Sequence, residues 1–313
     1  MKQEAIELPR PRVAARSNLK TTLGRDWQLA YLLLLPAAAV MTGLIAYPFA
    51  YSIWLSLNNI RVGGAAHFIG LSNYGSLLTG FNHQLFWNSV VVTIQYVVAS
   101  EVFKFIIGIT VALILHSAVR GRSLWRALLF LPWSVPIVVS AYAWRWIYDD
   151  RLGMVNIVLG HFGLIHQPVL FLSSATLALW SVIAATVWQG TPFWTMTYLA
   201  GLQSIPQELY EAARIDGGGP VQNFLHITMP SLRPVIIVTF MLSSIWTANG
   251  LQYVYILTNG GPADATQTFP LLAYTIGMRS YNLGMAAAVP LLFFPLFAVI
   301  IFVLTRRMLR ERT

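Results

Sequence analysis

Residues 208–230 read ELYEAARIDGGGPVQNFLHITMP. The chain has 313 residues, 57% of them hydrophobic and only 10% charged. Within its second half this is the one long stretch that carries several charges, and it adds three consecutive glycines and a proline. Two of the longest hydrophobic runs flank it. Soluble domains carry about 25% charged residues, so the apolar runs are the norm here and the polar stretch is the exception. Runs near 20 residues match the length of α-helix that crosses about 30 Å of hydrocarbon. The alternating segments of about ten residues that build a membrane β-barrel are missing. The chain therefore reads as an all-α membrane protein.

Spans are expected at 27–57, 86–116, 124–148, 173–203, 230–258 and 284–305. The first, second and fourth exceed a perpendicular crossing and imply tilt or extension beyond the bilayer. Lys and Arg set the orientation. Fifteen of the twenty basic residues fall in the N-terminal stretch, the links after spans two and four, and the C-terminal stretch. With six spans, both termini and the 208–230 stretch face the cytoplasm. Trp125–Arg126 and Trp144–Arg145–Trp146 resemble interfacial anchors at the two ends of span three, about 28 Å apart on a continuous helix. The expected layout is a cytoplasmic tail (1–26), a first transmembrane helix with its outer loop (27–85), a core (86–306) interrupted by a cytoplasmic loop at 204–230, and a cytoplasmic tail (307–313).

The absence of cysteine rules out disulfides, thiol catalysis and Cys-ligated metals. The net charge of +9 is spread by topology rather than gathered on a soluble surface, which argues against nucleic-acid binding. The first 26 residues lack the apolar core of a signal peptide.

Ser204-Ile-Pro-Gln207 has the spacing of a capping box, with Pro206 placed in the first helical turn. The helix is expected to run to about Asp216 and to stop at Gly217–Gly219 through a left-handed C-cap. Pro220 is expected to start a second short helix carrying Phe224 and Ile227, joined to span five at Pro230. Two short helices at a sharp angle make either an amphipathic interfacial loop or a compact knob for a partner. Ala212, Ala213 and Gly217 permit close approach of another surface.

Glu211-Ala212-Ala213, Asp216-Gly217, Phe224, Ile227 and Pro230 resemble the EAA signature of bacterial ABC importer permeases. The departures are mild: Met229 stands where the family usually has Leu, and Gly218 where Ala is common. Residues 188–218, 130–150, 255–268, 46–57 and 68–74 extend the resemblance to the carbohydrate, maltose/glycerol-phosphate type, over roughly 27–306. The resemblance implies the type I ABC importer permease fold and a place in the bacterial inner membrane. It also implies a machine with a second permease subunit, two ABC ATPase subunits and an extracytoplasmic solute-binding protein. ATP and Mg would be held by the ATPase, with no cofactor, metal or catalytic residue on this chain; no G-x-x-x-x-G-K-[ST] occurs. The eight residues of the signature would couple to the ATPase, with Glu211 pairing a partner's cation or capping local N–H groups.

Intramembrane polar residues are the candidates for a substrate pathway. Glu101 and Lys104, at i and i+3, form either a self-neutralised structural pair or part of that pathway. Gln189, Thr191 and Trp194 in span four, and Asn249, Gln252 and Tyr253 in span five, combine planar hydrogen-bonding groups with aromatic faces, as sugar recognition needs; each serves helix packing equally well. Pro132, Pro136, Pro192, Pro290 and Pro295 mark kinks, either cavity-lining or packing. TNGGP (258–262) is expected to turn sharply on the outer face, as an ordinary turn or near a docking surface. A secondary transporter and a membrane-embedded enzyme are the competing functions. Neither requires the 208–230 signature, and no H-e-x-x-H-type metal spacing appears.

Overall fold

The computed structural model describes residues 27–117 and 120–310. The expected tail at 1–26 lies outside the described residues, as do 311–313 of the expected C-terminal tail. The chain divides into two compact units, 1–52 and 53–313. In the first, helix α1 (Trp27–Met41) passes through a π-turn at Thr42–Ala46 into α2 (Tyr47–Ser56), which runs on across the division. Its large apolar side chains, Leu33 and Leu44 among them, are exposed.

The second unit continues with a two-residue hairpin, β1 (Asn58–Asn59) against β2 (His67–Phe68), and α3 (Ser72–Leu78). Asn73 ties these together by donating to the carbonyls of Ser56 (2.8 Å) and Asn58 (3.1 Å). Then come α4 (His83–His116), α5 (Arg122–Ser134), α6 (Ile137–Ile147), α7 (Met154–His161), α8 (Ala175–Gln203) and α9 (Gln207–Ile215). The helical run Pro220–Leu257 follows, made of α10 (Pro220–Asn223), a π-turn (Phe224–Thr228), α11 (Met229–Ala248) and α12 (Gln252–Leu257). The chain closes with α13 (Phe269–Tyr274), a further π-turn (Thr275–Arg279) and α14 (Leu283–Arg310).

Helix α4 is inverted relative to a soluble helix. Its buried stripe gathers small and polar residues, Ser89, Thr93, Ser100, Lys104, Gly108 and Ala112 at helical spacing, beside larger ones such as Phe86, Tyr96 and Ile109. Its exposed face carries Val91, Ile94, Val98, Val102 and Ile106. Side chains that pack well between helices go inward and side chains that dissolve in hydrocarbon go outward, as lipid contact demands. At 34 residues it is about 51 Å long, well beyond the hydrocarbon thickness. It packs on α8 at Gly108, where an added Cβ would lie 2.7 Å from the Cβ of Trp194. The core around this contact joins Ile109, Ala112, Leu199, Leu202 and Leu232.

Two expectations need correction. Span three is not one helix: α5 and α6 are bent by 92°. Val135, ahead of Pro136, is pushed into the extended region (φ −74°, ψ 129°) because the pyrrolidine ring disfavours helix in the preceding residue. The separation along one helix read for Arg126 and Arg145 therefore does not apply. Span five does not begin at Pro230; the helix passes straight through it from Pro220. The π-turn accommodates the missing N–H, with Met229 N–H reaching Phe224 O across the widened turn. The helix that carries span six, expected at 284–305, runs on to Arg310.

By length and composition, three runs among the described residues suffice to cross a membrane: Tyr31–Ser56, His83–His116 and Pro220–Leu257. The bent pair α5–α6 makes a fourth. The other two expected spans coincide with the helices α8 and α14. TNGGP does turn sharply, with Asn259 at φ 53° and Gly260 at φ 88°.

Candidate functional sites: a glycine elbow and an aromatic cavity

The capping box expected at Ser204 is not formed. Pro206 is extended (φ −59°, ψ 131°) and is itself the N-cap of α9. Ser204 is thus left outside, and its hydroxyl donates to Gly201 O (2.8 Å), joining its own backbone N–H on that carbonyl at the end of α8. The glycine stop forms as expected. Gly217 adopts φ +84°, its N–H bonds Arg214 O at 3.1 Å, and Gly218 N–H bonds Ala213 O at 2.7 Å. These two bonds are the Schellman pattern, which closes the last carbonyls of α9. Across the elbow, Gln222 Oε1 accepts from Gly219 N–H at 2.9 Å. The hydroxyls of Tyr210 and Thr228 meet at 2.9 Å and tie α9 to the π-turn. No separate second helix exists; α10 is the leading end of the run into α11.

The elbow places the signature residues unequally. Glu211, Ala212, Asp216, Gly217 and Pro230 are exposed, and Ala213, Phe224 and Ile227 are half-buried. Phe224 packs towards the core cluster of Leu199, Leu202 and Leu232. Glu211 makes neither an ion pair nor a local cap among the described residues; the one ion pair there is Glu101–Lys104. Sequence reasoning passed over the large apolar side chains beside it: Ile215 is 87% exposed, and Val221 and Leu225 also stand clear of the core. Their signal was available, since an apolar residue in a charged, loop-bound helix has little else to do.

The second site is a cavity of about 360 Å³ between α4, the α5–α6 bend, α8 and the α11–α12 break. Of the candidates, Lys104, Gln189, Gln252 and Tyr253 line it. Gln189 donates to Val135 O at 3.1 Å and accepts from the Tyr253 hydroxyl, which also meets Ser140 Oγ at 2.6 Å. These bonds cross the α5–α6 bend and fix both side chains. Gln252 is exposed, and its amide has no hydrogen-bond partner among the described residues. Thr191 instead faces an apolar crevice of about 620 Å³ and donates to Val187 O. Asn249 points out of the cavity and bonds back to Ile245 O at 2.8 Å. Trp194 is fully buried, donating to Ser243 Oγ at 3.0 Å.

Glu101 lies behind the wall. It is joined to Lys104 at 3.0 Å, and both residues are 3% exposed. Three aromatic rings that the sequence did not mark complete the site. Trp133 stacks on Phe193 (centroids 5.5 Å, 20°), and Trp246 closes on both. They come from three helices separated by more than fifty residues each, so no local pattern announces them.

Residues 104–311 match the family described as binding-protein-dependent transport system inner membrane component. A trehalose/maltose transport system permease protein from Thermococcus litoralis is 38% identical over 270 residues, covering 86% of this chain and 88% of that protein. A trehalose transport system permease protein from Mycobacterium tuberculosis is 30% identical, covering 88% and 87%. Among solved structures, a bacterial ABC transporter involved in the import of the acidic polysaccharide alginate aligns with a TM-score of 0.77. The alignment is 24% identical and covers 93% of this chain and 98% of that chain, which places the two in one fold.

Proposed function

The chain belongs to the family of binding-protein-dependent transport system inner membrane components, and on that premise we propose that it is the sugar-translocating permease subunit of an ATP-driven importer. It spans the bacterial inner membrane six times with both termini in the cytoplasm, α8 and α14 supplying the crossings beyond the four runs named above. A second permease subunit completes the pathway, two ATPase subunits hold ATP and Mg, and an extracytoplasmic binding protein delivers the sugar. Hydrolysis occurs on those ATPase chains.

The observation that carries this reading is the elbow. Its hydrogen bonds are closed internally, yet it presents Glu211, Asp216, Ile215, Val221 and Leu225 to the outside. A closed, rigid knob with free carboxylates and bare aliphatics fits a cleft on another protein. Glu211, Ala212, Ala213, Asp216 and Gly217 meet the ATPase directly, while Phe224, Ile227 and Pro230 anchor the knob to α11. The sugar assignment rests on the relatives' names and on the cavity: aromatic faces beside a free amide suit a pyranose ring. An ion-coupled carrier would keep an accessible acidic residue, whereas Glu101 is sealed against Lys104.

Reconstitution of the chain with its ATPase, second permease and binding protein in proteoliposomes is the test. ATP-dependent accumulation of trehalose or maltose is expected. Accumulation that persists without the ATPase and follows an ion gradient would refute the reading.

A further inference from the structure

The cavity wall contains a single ionisable cation, Lys104, and no carboxylate. An ammonium has three hydrogens to give. Here they go to Glu101 Oε1 at 3.0 Å, Thr247 Oγ1 at 2.7 Å and, at longer range, Ser243 Oγ at 3.4 Å. Thr247 passes its own hydrogen on to Glu101 Oε1 at 2.7 Å, and Trp194 donates to Ser243 at 3.0 Å. The lysine stem is also confined, since a Cβ at Gly190 would lie 2.7 Å from Lys104 Cε. The charge is therefore used up by groups on α4 and α11 of the same chain before any solute arrives. Its counter-charge lies behind the wall, with Glu101 Oε2 buried and unpartnered. What the cavity still offers is uncharged: the Gln252 amide and the faces of Trp133, Phe193 and Trp246.

We propose that Glu101 is a specificity-determining residue: by silencing Lys104 it makes the cavity electrically neutral and restricts the cargo to uncharged sugars. This deepens the function proposed above and rests on it, since it assumes that the sugar passes through this cavity. The claim divides the chain from its fold neighbour, whose transporter imports an acidic polysaccharide. An anionic sugar entering here would shed its hydration and find no free cation in return.

The test uses the assembled complex of permeases and ATPase in lipid nanodiscs, without the binding protein, and reads saturation-transfer NMR. The probes are trehalose, maltose and trehalose 6-phosphate. The wild type should bind the neutral disaccharides at least about tenfold more tightly than the phosphate, the worth of a missing charge-assisted hydrogen bond. E101Q keeps an acceptor for Lys104 but removes its counter-charge, and should raise phosphate binding by about tenfold. E101Q/K104Q, which removes both charges, should return the ratio to that of the wild type. Equal binding of phosphate and neutral sugar by the wild type would overturn the proposal and leave the sugar pathway standing. No binding of any probe would instead overturn the pathway on which the proposal rests. Should E101Q fail to assemble, the wild type and E101Q/K104Q decide alone. A phosphate signal that the double variant abolishes would make Lys104 a ligand and overturn the proposal; its absence in both supports it.

Discussion

Gly217 allows backbone strain to be separated from contact with a partner. At φ +84°, any L-residue there bears the left-handed cost, about 1–2 kcal/mol. A Cβ added at Gly217 meets nothing within 4 Å, so within the chain Gly217→Ala and Gly217→Trp share the backbone penalty. As a chain without its partners, the two variants should insert alike. They should differ only where another surface covers the position. In the reconstituted complex, ATPase stimulation by the loaded binding protein should survive in Gly217→Ala and be lost in Gly217→Trp. Gly218→Ala is the internal contrast. Its Cβ would lie 2.7 Å from Ala213 O and 3.0 Å from Asn223 Oδ1, so it should disturb the elbow of the chain on its own. Equal stimulation in Gly217→Trp and Gly217→Ala would refute docking at this position.

Gln252→Ala should lower sugar uptake with assembly preserved, because its amide is a free donor and acceptor at the cavity; unchanged uptake would remove it from the pathway. Gly108→Ala drives a methyl to 2.7 Å from Trp194 Cβ and should destabilise the complex by about 1–3 kcal/mol through overpacking, read as a lower thermal midpoint. Asp149 is fully exposed, and the N–H groups of Leu152 and Arg151 hold its carboxyl below the usual carboxylate value. A group whose folded pKa is lowered stabilises fully above its unfolded value and stops doing so as pH falls through the folded one. Protection of the amides of residues 151–152, taken relative to their intrinsic exchange rate at each pH, should therefore hold at neutral pH and be lost only in acid below the ordinary Asp range. Asp149→Asn should flatten that dependence.

The elements set by local chemistry were the ones legible in the sequence. Gly217–Gly218 closes α9 because few other residues accept the left-handed turn, and a run of glycines after a charged helix says so directly. Glu101 and Lys104 pair because one helical turn places them together. The errors came from prolines whose effect depends on the neighbouring turn. Pro206 delays the helix start by two residues and so diverts Ser204 to α8. In the sequence Pro230 reads as a joint, but a π-turn five residues long removes the conflict and the helix runs on. Pro136 reads as a kink and makes a 92° bend. The aromatic group of Trp133, Phe193 and Trp246 was beyond reach, since it exists only once three distant helices meet.

The uninterrupted helix from Pro220 to Ala248 joins the two sites materially. One end emerges from the elbow; the other carries Ser243, Trp246 and Thr247 into the cavity wall and ends at the break before Gln252. Its 29 residues make a rod about 43 Å long. Turned by about 10° around its elbow end, such a crank sweeps the far tip through roughly 7 Å, comparable to the width of a sugar ring. A helix that broke at Pro230 would spend that rotation in its own joint. The π-turn that spares Pro230 is therefore a gearing element, setting how much of a movement at the elbow arrives at the cavity wall.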